Sequence, residues 1–202
     1  MWIWLACQRG PEPALETSDL SPLGPNRSTW PAGEAEEMTS VTGVEGDVTW
    51  ANGLGYVHAP LEAVWDAALD PEVGVDRRVV SEWSVVDDPV EGLDASYRVT
   101  QEIPDLITVE YELWWRHERQ GGSDEAPDRV VIVYDKTDGT QFIESLRGSL
   151  VLERGADPDV TEVDLQEEIV APRQDGTTQV AFQQDFFASL VEVAHGRPLP
   201  DW

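Results

Sequence analysis

The chain has 202 residues, 41% of them hydrophobic, with 13 basic against 40 acidic side chains and a formal charge of −27. That length and hydrophobic content allow one domain with an ordinary core, plus a tail. The acidity excludes a nucleic-acid reader, which needs clustered Lys and Arg, and docking on anionic lipid through a basic patch, while a single cysteine, Cys7, excludes an intrachain disulfide.

Residues 1–7, MWIWLAC, are apolar, and the chain then turns polar and Pro-rich. This resembles the end of a bacterial lipoprotein signal peptide, in which the cysteine is lipidated after cleavage. The resemblance implies a lipidated Cys7 and makes it the expected membrane attachment. Leu5 and Ala6 directly precede the cysteine, with Trp4 where the usual leucine stands, and six residues are too few for a full apolar region. An upstream start would supply the missing segment and place the protein in the cell envelope; otherwise the cytoplasm is expected. Residues 8–44 carry several prolines, small polar residues and the acidic run 34–37, and read as a disordered linker.

A folded domain is expected over residues 45–198. Residues 47–56 read as a first strand, with Gly53 and Gly55 suggesting a bulge or bend. Pro60 suits a first helical turn. Leu61, Val64, Trp65, Ala68 and Leu69 then make one helical face, which Asp70-Pro71 ends. A second helical turn reaches about residue 76. From residue 77 the apolar period becomes two. Strands are expected over 79–86, 96–103, 107–119, 129–136, about 142–152 and 161–171. Asp138-Gly139 is a hairpin-turn signal. Residues 177–195 close the chain as an amphipathic helix. Val180, Phe182, Phe186, Phe187, Leu190 and Val191 form its apolar face, with Gln179, Gln183, Gln184, Asp185 and Glu192 opposite. Asp175 or Thr177 is its expected cap, and Gly196 and Pro198 stop it.

The order strand, two short helices, six strands, long helix makes an α+β chain with helices on one side of an antiparallel sheet. Residues 55–71, GYVHAPLEAVWDAALDP, and the closing helix resemble the SRPBCC superfamily: START-like, birch-pollen-allergen-like and polyketide cyclase/dehydrase-like proteins. The resemblance implies a helix-grip fold, in which a curved seven-stranded sheet wraps the last helix and encloses a cavity for an apolar or amphipathic ligand. It implies no universal catalytic motif and no cofactor.

Alternation and helical phase choose the cavity candidates Trp83, Val109, Tyr111, Leu113, Trp115, Phe142, Leu146, Leu165, Phe182, Phe186 and Leu190. Trp114 falls on the outer face as a rim candidate. Glu144 and Glu167 share faces with apolar residues. A desolvated carboxylate there titrates high and serves as acid or base; pairing with Arg98 or Arg147 at the rim is the plainer outcome. His117 joins them as a candidate, with Tyr111. The histidines have no metal-ligand spacing, so no metal is expected. Three functions follow. A monomer that binds or carries a hydrophobic small molecule comes first, a cyclase- or dehydratase-like enzyme second, and an acidic protein-interaction domain third.

Overall fold

The computed structural model describes residues 20–104, 108–123, 126–172 and 176–201. Cys7, with its lipidation, and Asp175 lie outside them. The elements are β1 (Met38–Glu45), β2 (Val48–Val57), α1 (Leu61–Ala68), a 3-10 turn (Pro71–Gly74), β3 (Glu82–Asp87), β4 (Ala95–Ile103), β5 (Val109–Gln120), β6 (Arg129–Gly139), β7 (Ser145–Arg154), β8 (Thr161–Val170) and α2 (Thr177–Ala194). The strands form one antiparallel sheet in the order β1-β2-β8-β7-β6-β5-β4-β3. Both helices pack on one face of it.

The sheet has eight strands, not seven. The extra one, β1, comes from sequence assigned to the linker. Its polar composition hid it: as an edge strand it needs only one buried apolar anchor, Met38, and its register with β2 is unbroken from Met38↔Gly55 to Glu45↔Val48. Residues ahead of β1 also bond to the domain. The Asn26 amide donates to Gly53 O and Asp164 Oδ1 at 3.0 and 2.7 Å, and Leu23 N donates to Ser149 Oγ at 3.0 Å. The boundary at residue 45 therefore falls too late.

Gly53 and Gly55 make no bulge, since β2 stays in register with both neighbours. They let α2 approach. A Cβ on Gly55 would lie 2.8 Å from the Phe187 ring, and one on Gly53 would lie 3.1 Å from Gln183 Oε1. Gln179 and Gln183 accordingly face inward, against the expectation that put them outside. Gln183 is fully buried, and its amide donates to Ala51 O at 3.0 Å. A backbone carbonyl as partner makes a buried glutamine tolerable, and hydropathy alone cannot register that. Gly176, at φ +83°, is the N-cap of α2, without a side-chain bond to the first turn. Gly196, at φ +70°, ends the helix as expected.

Asp138-Gly139 is the end of β6 rather than a hairpin tip. It lies opposite Tyr111 and Glu112, where the β5–β6 register shifts by a residue. The core lies between sheet and helices, with Leu61, Val64, Ile132, Leu150, Leu152, Leu165 and Leu190 fully buried.

Candidate ligand cavity

The inward residues of each strand follow from the pleat. On β5 they are Val109, Tyr111, Leu113, Trp115 and His117, and on β8 Val163, Leu165, Glu167 and Ile169, all buried. A cavity of about 120 Å³ opens between these strands and the first turns of α2. Gln101 and Ile103 of β4, Tyr111 and Leu113 of β5, Tyr134 of β6, Leu146 of β7 and Glu167 and Ile169 of β8 line the sheet side. Thr178, Gln179 and Phe182 cover it from α2, and Gly74, Asp76, Val79 and Ile143 close its edges.

Of the sequence candidates, Tyr111, Leu113, Leu146, Phe182 and Glu167 meet at this cavity. Val109, Trp115, Leu165, Phe186 and Leu190 share the interior but pack in the core, outside the lining. Four candidates fall elsewhere. Trp83 is 37% exposed, because β3 is an edge strand whose residues are all exposed. Phe142 is 46% exposed and Glu144 is exposed: β7 begins only at Ser145, so the alternation counted back through residues 142–144 slips in a turn, and Ile143 is buried instead. His117 is fully buried beside Tyr97, ring centroids 5.5 Å apart, away from the cavity. Trp114 is half-buried between the guanidinium groups of Arg98 and Arg116, at 5.0 and 4.5 Å.

The chemistry concentrates in one row across the sheet. Trp115 of β5 faces Tyr134 of β6, Tyr134 faces Gly148 of β7, and Gly148 faces Glu167 of β8. Gly148 has no side chain, so the phenol lies across β7 and donates to Glu167 Oε2 at 2.9 Å. A Cβ at residue 148 would meet Tyr134 Cζ at 2.1 Å. Trp115 stacks on the other side of the Tyr134 ring, centroids 4.3 Å apart. Beside this row, Tyr111 OH donates to Gln101 Oε1 at 3.0 Å.

Burial raises Glu167 from 4.5 to about 7; the Tyr134 bond lowers it, and Asp76 raises it further. The rim arginines take other carboxylates, Arg98 pairing with Asp88 and Glu112 and Arg147 with Glu168. Burial first, then the Glu167 charge, pushes the Tyr111 and Tyr134 phenols above their ordinary value. Desolvation lowers His117 to about 4, partly offset by Asp94. Sequence reasoning missed Tyr134, Gln101 and Gln179. An inward glycine between an inward tyrosine and an inward glutamate on adjacent strands was the available signal for the first.

The sequence matches no protein-family model and no curated protein. Solved structures do match. The human StarD13 (DLC2) lipid transfer and protein localization domain superposes with a TM-score of 0.52 at 8% identity, covering 81% of this chain and 85% of that one. The fold is of the helix-grip kind, an antiparallel sheet packed around the closing helix. Two further structures resemble it less closely, each with a TM-score of 0.46. The Zhui aromatase/cyclase from Streptomyces sp. R1128 is 13% identical, covering 79% of this chain and 93% of that one. TTHA0849 from Thermus thermophilus is 18% identical, covering 72% and 94%. In this helix-grip chain the gripped helix divides by role: Phe186, Phe187, Leu190 and Val191 are buried in the core, while Thr178, Gln179 and Phe182 roof the cavity.

Proposed function

We propose that this protein binds a small, largely apolar molecule in the cavity between the sheet and α2. The observation that carries this reading is a cavity with apolar walls and a few convergent polar groups, Glu167, Tyr134, Tyr111 and Gln101, held in fixed geometry. The similar StarD13 domain is named for lipid transfer, which is consistent with such a role. The volume sets the scale of the guest. About 120 Å³ is close to the roughly 150 Å³ cavity that takes up benzene. Drug-sized ligands occupy about 300–1,000 Å³. The cavity, which is partly open to solvent, therefore takes a ring or short chain, and a longer guest either extends through the opening or displaces Phe182 and the first turn of α2.

Benzyl alcohol or indole should bind with a dissociation constant on the order of 0.1–1 mM by calorimetry, as expected for so few atoms. Ile143→Trp, at the cavity edge, should weaken binding at least about tenfold, because the added ring occupies the space, with the fold unchanged by circular dichroism. No uptake of either probe by the unaltered protein, or equal uptake by the variant, contradicts the reading.

The buried Glu167–Tyr134 pair supports a second reading, proton transfer at a bound carbonyl compound. A base at about 7 is well matched to neutral pH. Glu167 would remove a proton from the carbon next to the carbonyl, and solvent would return one. The protein should then speed deuterium exchange into the methyl group of acetophenone, and Glu167→Gln should not; equal exchange with both would remove this reading.

A further inference from the structure

Resting on the binding reading above, we infer that the cavity selects a guest carrying one protonated amine, an apolar ammonium ion, with Glu167 as its counter-ion. The argument begins with what the wall lacks. No Lys, Arg or His lines the cavity among the described residues, whereas two carboxylic side chains, Glu167 and Asp76, do. Arg78 lies close by, but it is committed to both Asp76, at 2.9 Å, and Asp185. Two acids thus share one guanidinium at the mouth, and among the described residues no cation pairs with Glu167 inside. An anionic guest would bring a further negative charge beside these groups in a poorly screened interior, which is unfavourable.

The second observation is the state of Glu167 itself. It is only 6% exposed and lines the cavity. Among the described residues its hydrogen-bond partner is the Tyr134 hydroxyl, on Oε2. Oε1 therefore remains to receive a donor from the cavity. The third is aromatic. Tyr111, Tyr134 and Phe182 line the same space, and ring faces attract a desolvated cation within about 6 Å. An ammonium with an apolar body satisfies all three: a donor for Oε1, a positive charge for the carboxylate and the rings, and a hydrocarbon part for Leu113, Leu146 and Ile169. The surface assists entry, since a chain of charge −27 draws cations toward it.

Charged and titratable groups face Glu167 from each neighbouring element: Tyr134 from β6, Tyr111 from β5, and Asp76 from the segment after the 3-10 turn. With Glu167 near 7 in the empty cavity, a bound ammonium ionises it, and a proton leaves to solvent at acid pH. Amine affinity should thus rise with pH while that of a neutral guest stays flat.

The test compares benzylamine, benzyl alcohol and benzoate by calorimetry at about 0.15 M salt, on the unaltered protein and on Glu167→Gln. At about pH 8 benzylamine should bind at least about tenfold more tightly than benzyl alcohol, with benzoate weakest. Its affinity should fall about thirtyfold between about pH 8 and pH 5.5. Glu167→Gln should remove the amine preference and the pH dependence. If benzyl alcohol or benzoate matches the amine, or if amine affinity ignores pH, the inference fails and the binding reading stands. If none of the three binds the unaltered protein, both fail.

Discussion

The unfolding free energy of the unaltered protein, minus that of Glu167→Gln, should fall by about 3 kcal/mol as pH rises from 4.5 to 7. Glu167 titrates at about 7 when folded against an ordinary 4.5, raised chiefly by burial. The folded state then holds the proton more tightly. Its stabilising contribution is complete below the unfolded value and is lost as pH rises through the folded one. His117 has the opposite sign. Desolvation lowers it from 6.5 to about 4, so its contribution is complete above 6.5 and is lost as pH falls toward 4, again by about 3 kcal/mol. Between 4.5 and 6.5 the two slopes cancel, and removing either group exposes the other. Neither ring nitrogen of His117 has a partner among the described residues. His117→Phe should therefore also gain about 1–2 kcal/mol at neutral pH by removing unsatisfied polar atoms. Urea unfolding of the three proteins across this range is the measurement. Parallel stability profiles would show that neither group titrates as its surroundings require.

Gly148→Ala should destabilise the fold by about 2–5 kcal/mol, although the change adds a single methyl group. The new Cβ would lie 2.1 Å from Tyr134 Cζ and 2.2 Å from its hydroxyl oxygen, so the ring must leave. Tyr134 is 1% exposed, so the ring can leave only by giving up its stack on Trp115 and its bond to Glu167 and moving into the cavity it lines. Overpacking a core costs about 1–3 kcal/mol, and losing the partner of a buried polar group about as much again. For a chain of this size the loss corresponds to about 5–20 °C in melting temperature. Glu167, deprived of the phenol bond that lowers it, should titrate above its present value. In a Tyr134→Leu background the same glycine change should cost much less, since the clashing atoms are gone, and that coupling is the direct readout. A Gly148→Ala protein that melts like the parent, with Tyr134 in place, would contradict the row of contacts described above.

The strands that flank a buried layer were legible because alternation is a direct consequence of the pleat. Residues 109, 111, 113 and 115 of β5 and 165 and 167 of β8 are buried on the faces that alternation chose. The closing helix and its glycine stop were legible from period and cap chemistry. Edge strands were legible only in part. β1 is polar and was missed, whereas β3 falls within the expected strand over 79–86 but its residues are all exposed, so Trp83 was placed inside wrongly. Polar groups satisfied inside were also invisible. Gln183 bonds a backbone carbonyl, Gln101 accepts from Tyr111, and nothing in hydropathy distinguishes these from surface glutamines. The candidate site was half legible for the same reason. Tyr111 and Glu167 follow from the face count, whereas Tyr134 reaches Glu167 only because Gly148 leaves a gap, a cross-strand fact that needs the register.

The central claim, an apolar guest held beneath α2 beside Glu167, is tested most directly by where a probe lands. In a methyl-labelled sample titrated with benzyl alcohol, nuclear magnetic resonance shifts should concentrate on Leu113, Ile143, Leu146 and Ile169, which line the cavity. Leu61, Val64 and Leu152, in the core outside that lining, should stay still. Saturating shifts confined to the four cavity residues are the expected result. Shifts scattered over the surface, or none at the cavity residues up to the solubility of the probe, would contradict it.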